Sequence, residues 1–130
     1  MFKYKIVMVV DDDELDGFII KKTIEDNHFA EKVINFLSAK NALKYLKSNE
    51  SNPDALPSII FLDIIMDDMD GFGFLDEFAK MNDVIHSKCK IVLLSTSKSF
   101  ENLNRANKNK FAAKFLIKPL TKEVLDAINF

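Results

Sequence analysis

Cysteine is nearly absent from this chain. The single residue, Cys89, excludes an internal disulfide framework. Glycine is scarce too: Gly17, Gly71 and Gly73 are too few and too scattered to make a dinucleotide-binding or P-loop motif. The two histidines, His28 and His86, lie in predicted connections, which leaves no histidine-based nucleophile or metal site at the strand ends. Arginine occurs once, as Arg105, and no base-stacking aromatics interleave with the basic residues, so no nucleic-acid partner is expected. No apolar run approaches the ~20 residues of a membrane span, and membrane insertion is not expected. The first apolar stretch, Ile6 to Val10, stops at Asp11-Asp12-Asp13-Glu14 with no small-residue cleavage site after it, so a cytoplasmic protein is the default expectation.

What is present fits one globular domain over residues 1–130. The composition is 48% hydrophobic and 29% charged. A chain of this size buries about two-thirds of its unfolded surface and needs neither disulfides nor a structural metal as staples. The 18 basic and 20 acidic residues nearly cancel, yet they are segregated. Five of the six residues from Asp11 to Asp16 are acidic, and Asp63, Asp67, Asp68 and Asp70 fall within eight positions. From Asn102 through Lys122 there are six bases and no acid, a run read first as a solvated face.

Five short apolar runs read as strands: Ile6 to Val10, Val33 to Leu37, Ile59 to Leu62, Ile91 to Leu94 and Phe115 to Ile117. Four are nearly continuous in hydrophobicity, as parallel strands buried on both faces should be; Asn35 interrupts the second and suits it to an edge. Helical spacing fills the gaps. Ala39, Ala42, Leu43 and Leu46 make one stripe, Phe72, Leu75, Phe78 and Ala79 another, and Leu15, Phe18 and Ile19 begin a third. The segment from Phe100 to Asn109 is weak, since Asn102, Asn104, Asn107 and Asn109 are poor helix formers and only Phe100 and Leu103 offer anchors. A last short helix begins at about Thr121. Five strands alternating with helices predict a (βα)5 α/β domain, a parallel sheet between two helical layers.

In such a sheet, ligands bind beyond the carboxyl ends of the strands. The first strand delivers Asp11 and Asp12 there, the third Asp63, the fourth Ser95 and Thr96, and the fifth Lys118 before Pro119. Singly, each has an ordinary reading as a cap or turn residue. Jointly they form a rim of three carboxylates, a hydroxyl and an ammonium. Carboxylates so close cannot all ionise cheaply, so either one pKa rises or a cation sits among them, and oxygen ligands with room for water favour Mg2+. A carboxylate beside a divalent ion, with a lysine and a hydroxyl converging on it, suits phosphoryl transfer onto that carboxylate.

Four stretches now carry a resemblance. Val9-Val10-Asp11-Asp12-Asp13, Phe61-Leu62-Asp63-Ile64-Ile65-Met66 with Met69-Asp70-Gly71, Leu93-Leu94-Ser95, and Phe115-Leu116-Ile117-Lys118-Pro119 resemble, in order and spacing, the receiver domain of bacterial two-component response regulators. The likeness spans the whole chain. It implies a doubly wound, flavodoxin-like sheet of strand order 2-1-3-4-5 and phosphorylation of Asp63 by a histidine kinase or histidine phosphotransfer protein. It implies Mg2+ held by Asp11, Asp12, Asp63 and the backbone carbonyl of Ile65, with Ser95 and Lys118 binding the phosphoryl group and Phe115 as the switch aromatic. A cis bond between Lys118 and Pro119 is implied as well. Signalling would leave through the helix after the fourth strand, the fifth strand and the last helix, toward a downstream protein the sequence does not identify. The only catalysis implied is the domain's own phosphorylation and dephosphorylation.

The sequence departs from the family at one place in this loop. Proline usually follows the methionine, whereas here Asp67 stands in its place, adding a charge and removing rigidity. Ile65 and Ser97 occupy positions that flank the path of the hydrolytic water in such domains, and an apolar Ile65 implies slow loss of the phosphoryl group. Two other readings compete: a phosphorylation-independent interaction module of the same fold, and a Mg2+-dependent aspartyl phosphatase. The latter usually carries a second Asp two positions after the nucleophile, where this chain has Ile65.

Overall fold

A computed structural model describes residues 1–96 and 100–130, the side chain of Phe100 excepted. Five parallel strands form one sheet in the order β2-β1-β3-β4-β5: β1 Tyr4–Val10, β2 Ala30–Phe36, β3 Ile59–Asp63, β4 Lys90–Ser95 and β5 Ala112–Ile117. This is the doubly wound α/β arrangement expected from the alternation of apolar runs, and β2 takes an edge. β3 is buried at every residue and β4 at all but Lys90, because each has a strand on both sides and helices over both faces.

Among the described residues six α-helices connect and cover the strands: α1 Glu14–Asp26, α2 Ala39–Ser48, α3 Gly71–Ala79, α4 Asp83–Lys88, α5 Phe100–Lys108 and α6 Lys122–Asp126. One face of the sheet packs through Met8, Ile60, Leu62 and Leu93 onto α2 and α3, burying Leu46, Phe72, Phe74, Leu75 and Phe78. The opposite face packs Val7, Val9, Phe61 and Leu94 against Ile20, Ile24 and Leu125 of α1 and α6. Burying a side chain such as Leu75 or Ile24 contributes roughly 1.5–3 kcal/mol.

Three expectations are corrected. Leu15, Phe18 and Ile19 do not begin the buried stripe of α1: they are exposed, and Gly17, Ile20 and Ile24 face the sheet. In α5, Leu103 is exposed and Ala106 is buried, the expected anchor Phe100 having a side chain outside the described residues, while the Arg105 guanidinium lies 3.9 Å from the ring centre of Phe72 on α3. Finally, α4 was not expected. It is six residues long, capped by the Asn82 side chain accepting from the Ile85 N–H, and too short to show a stripe. His86 belongs to it, packed between Phe78 and Phe111 with Nε2 2.6 Å from the Phe78 carbonyl oxygen. Cys89 follows as a buried core residue, its thiol pushed up to about 12 by burial, which leaves it inert as a nucleophile.

Gly71 shows why the turn after β3 needs glycine. A Cβ there would lie 3.0 Å from the Asp63 carbonyl oxygen and 3.0 Å from the Ile64 Cα, both backbone atoms that cannot move aside cheaply. Gly71→Ala is expected to destabilise the fold by about 1–2 kcal/mol, read as an earlier urea midpoint with an unchanged slope.

Candidate functional site

Parallel strands bring their carboxyl ends to one edge, and the register fixes who meets whom there. Val10 pairs with Leu62, Asp63 with Leu94, and Ser95 with Ile117. The residues just beyond these pairs converge: Asp11 and Asp12 after β1, Asp63 at the end of β3, Ser95 at the end of β4 and Lys118 after β5. The Lys118 N–H donates to the Ser95 carbonyl at 2.7 Å, and the Lys118–Pro119 peptide is cis, as the resemblance implied. Asp11 accepts from the Asp13 N–H at 3.0 Å, and Asp13 in turn caps α1 by accepting from the Asp16 N–H. That cap turns the acidic run away from the strand and into the helix.

Lys118 is the hub. Its Nζ lies 2.9 Å from Asp11 Oδ2, 3.1 Å from Asp16 Oδ2 and 3.5 Å from Asp63 Oδ1, with the lysine side chain only 11% exposed. Burial works to lower the lysine pKa. The hydrogen bond and charge of Asp11, joined by Asp63 and Asp16, outweigh it and hold Lys118 above its ordinary value. The Asp63 carboxyl is raised too, but here burial itself acts upward: burial, then the charge of Asp11, push it up to about 6 although Lys118 pulls it down. One ammonium does not neutralise three carboxylates. A second cation would relieve the remainder.

Oxygens of Asp11, Asp12 and Asp63 all lie within 4.8 Å of one another, the one cluster among the described residues suited to a metal ion. An all-oxygen donor set of that size, left with excess negative charge, fits Mg2+. Asp12 and Asp63 border an open cavity of about 220 Å³ that Ile65, Ser95, Thr96 and Lys118 also line, with Asp11 buried behind it. A larger cleft of about 660 Å³ lies between α2 and α3, floored by Leu43, Met69 and Met81, but it holds none of these groups. The chemistry, not the volume, identifies the site.

The structure thus brings together Asp11, Asp12, Asp63, Ile65, Ser95 and Lys118 as the sequence suggested. Phe115 stands one strand away, half-buried against the core. Asp67 is exposed, and its backbone N–H donates to Asp12 Oδ2 at 2.8 Å. Ser97 lies outside the described residues. Asp16 was missed. It comes from the first turn of α1 rather than from a strand end, and its signal was its place five residues after Asp11, where a capped helix turns back over the strand.

Residues 7–129 match the family described as the response regulator receiver domain. A probable methanogenesis regulatory protein, FilR2, of Methanothrix harundinacea is 29% identical over 120 residues, covering 92% of this chain and 76% of that protein. Among solved structures, a two-component response regulator from Cytophaga hutchinsonii superposes with a TM-score of 0.86 at 26% identity, covering 94% of this chain and 91% of that one. The chemotaxis protein CheY4 of Vibrio cholerae shares the fold, with a TM-score of 0.74 at 23% identity over 94% and 92% of the two chains. With the family match spanning nearly all of the chain and the strand order the same, this chain belongs to the response regulator receiver domain family.

Proposed function

We propose that this domain is a phosphoacceptor switch: Asp63 takes a phosphoryl group from the phosphohistidine of a histidine kinase or a histidine phosphotransfer protein, in a reaction that requires Mg2+. The observation that carries this reading is the convergence of three carboxylates on one edge of the sheet with Lys118 among them. In the transfer, a carboxylate oxygen of Asp63 attacks phosphorus, the P–N bond breaks, and the imidazole nitrogen keeps the electron pair and takes up a proton. Asp11, Asp12, Asp63 and the Ile65 carbonyl would hold Mg2+, which when bound would neutralise charge on the transferring oxygens. Lys118, whose Nζ lies 3.5 Å from Asp63 Oδ1, pairs with the phosphoryl oxygens, and the Ser95 hydroxyl binds them as well.

The readout passes along β4 and β5. Ser95 and Phe115 stand on these neighbouring strands, where Leu93 pairs with Phe115, and α5 lies between them in sequence. Three asparagines in its nine residues make α5 an element that a few kcal/mol of phosphoryl contacts can reposition. Addition of beryllofluoride, a phosphoryl mimic, is expected to change amide exchange most between Ser95 and Phe115. A change confined to residues 11 to 20 would remove this route.

Ile65 argues against a turnover hydrolase, because its exposed apolar side chain offers no group to activate water. Acetyl phosphate with Mg2+ should add one phosphoryl group by intact mass and lose it slowly. Continuous release of phosphate from a phosphomonoester would favour the hydrolase, and absence of any adduct would favour a phosphorylation-independent interaction module.

A further inference from the structure

The replacement of the family's usual proline by Asp67 changes the backbone as well as the charge. Proline has no N–H. Asp67 has one, and it donates to Oδ2 of Asp12 at 2.8 Å across 55 positions of sequence. We infer that the Asp67 N–H is a positioning group for the cation site, holding the Asp12 carboxylate in the orientation that binds the ion. This rests on the reading of Asp11, Asp12 and Asp63 as a Mg2+ site.

Three observations support a fixed donor rather than a passing loop contact. The Met66 side chain on one side of Asp67 is buried in the core. On the other side, Asp68 Oδ2 accepts from the Ser38 hydroxyl at 3.0 Å and from the Lys40 N–H at 3.2 Å, which ties the loop to the start of α2. Against a cost of burial, these donors hold the Asp68 carboxyl below the usual carboxylate range, so the tie persists throughout the neutral range. Farther along, the Gly71 N–H donates to the Ile64 carbonyl at 2.7 Å and closes the loop at its base.

The acceptor needs such help. Asp12 is only partly buried, and the charges of Asp11 and Asp63 nearby would drive its carboxylate out toward solvent. A bond at Oδ2 counters that repulsion and fixes how the carboxylate meets the ion. Groups that orient a metal ligand in this way are worth roughly 10–100-fold in metal affinity.

Two substitutions separate backbone from charge. Asp67→Ala removes the carboxylate and keeps the N–H; Asp67→Pro removes both. Mn2+ binding, followed by the electron paramagnetic resonance of free Mn2+ with Mg2+ as competitor, is the readout, and it needs no phosphoryl donor. Asp67→Ala should stay within roughly threefold of the parent, and Asp67→Pro should bind roughly tenfold more weakly than Asp67→Ala. Because proline also constrains the loop, amide exchange in the parent protein gives a second test. The Asp67 N–H should be protected without metal and lose that protection in Asp12→Ala. Equal affinities for the Ala and Pro variants, or an unprotected Asp67 N–H in the parent, would overturn the positioning role alone. Failure of the parent to bind Mn2+ would overturn the metal site itself, and the positioning role with it.

Discussion

Asp63→Asn is expected to make the metal-free protein more stable while abolishing its phosphorylation. In the folded state the Asp63 carboxyl is pushed up to about 6 by burial and by Asp11, against about 3.9 in an unfolded chain. The sign follows from linkage. The folded state holds this proton more tightly than the unfolded state, so stability falls as pH rises from about 4 to about 6 and the penalty is complete above that. Two pKa units correspond to about 2–3 kcal/mol. An asparagine is uncharged at every pH and escapes the penalty, so at pH 7.5 the variant should melt roughly 5–10 °C above the parent. Its advantage should shrink through pH 6 and nearly vanish near pH 4. Labelling by acetyl phosphate should be lost at the same time, since an amide oxygen is a far poorer nucleophile. A stabler, unlabelled variant cannot be explained by misfolding. A variant that melts at or below the parent at pH 7.5 would mean that Asp63 is not strained by its neighbours.

Mg2+ should relieve the same strain in the parent. For an assumed dissociation constant of ~1 mM, ~10 mM Mg2+ contributes about RT ln 11, or ~1.4 kcal/mol, a melting shift of roughly 4–8 °C. Sodium chloride at matched ionic strength screens surface charge but offers no bond to three converging carboxylates, and should give much less. Asp12→Asn supplies the control. With one repelling charge removed, this variant should melt at or above the parent in the absence of metal, yet lose most of its response to Mg2+. Equal shifts in the two salts, or an undiminished Mg2+ response in Asp12→Asn, would mean diffuse screening of an acidic surface.

The fold was legible because its strands are continuous apolar runs whose order and spacing admit few topologies. β3 and β4 were located within one residue at each end, whereas β2 and β5, the edge strands, begin three residues earlier than their apolar content suggests. At an edge, polar residues such as Glu31, Lys32 and Lys114 can sit in a strand without entering the core. Helix faces were harder to read. Leu15, Phe18 and Ile19 share a helical spacing with one another, but the buried face of α1 is Gly17, Ile20 and Ile24, and a glycine carries no hydropathy signal.

For the site, side chains at strand ends were readable and those arriving by other routes were not. Asp11, Asp12, Asp63, Ser95 and Lys118 follow from the strand boundaries alone. Asp16 required knowing that Asp13 caps the helix, and the Asp67 N–H is a backbone group that every residue but proline carries. Reading Asp67 as an added charge and lost rigidity overlooked the donor gained with it.

The central claim is that Asp63 is the acid that receives the phosphoryl group. Borohydride reduces an aspartyl phosphate to homoserine at the modified position with release of phosphate, so peptide mass spectrometry after acetyl phosphate, Mg2+ and borohydride reads the site directly. The account predicts homoserine at position 63 alone, and none when Mg2+ is withheld by chelation. Homoserine at position 11, 12 or 16, or at 63 in undiminished yield without Mg2+, would contradict it.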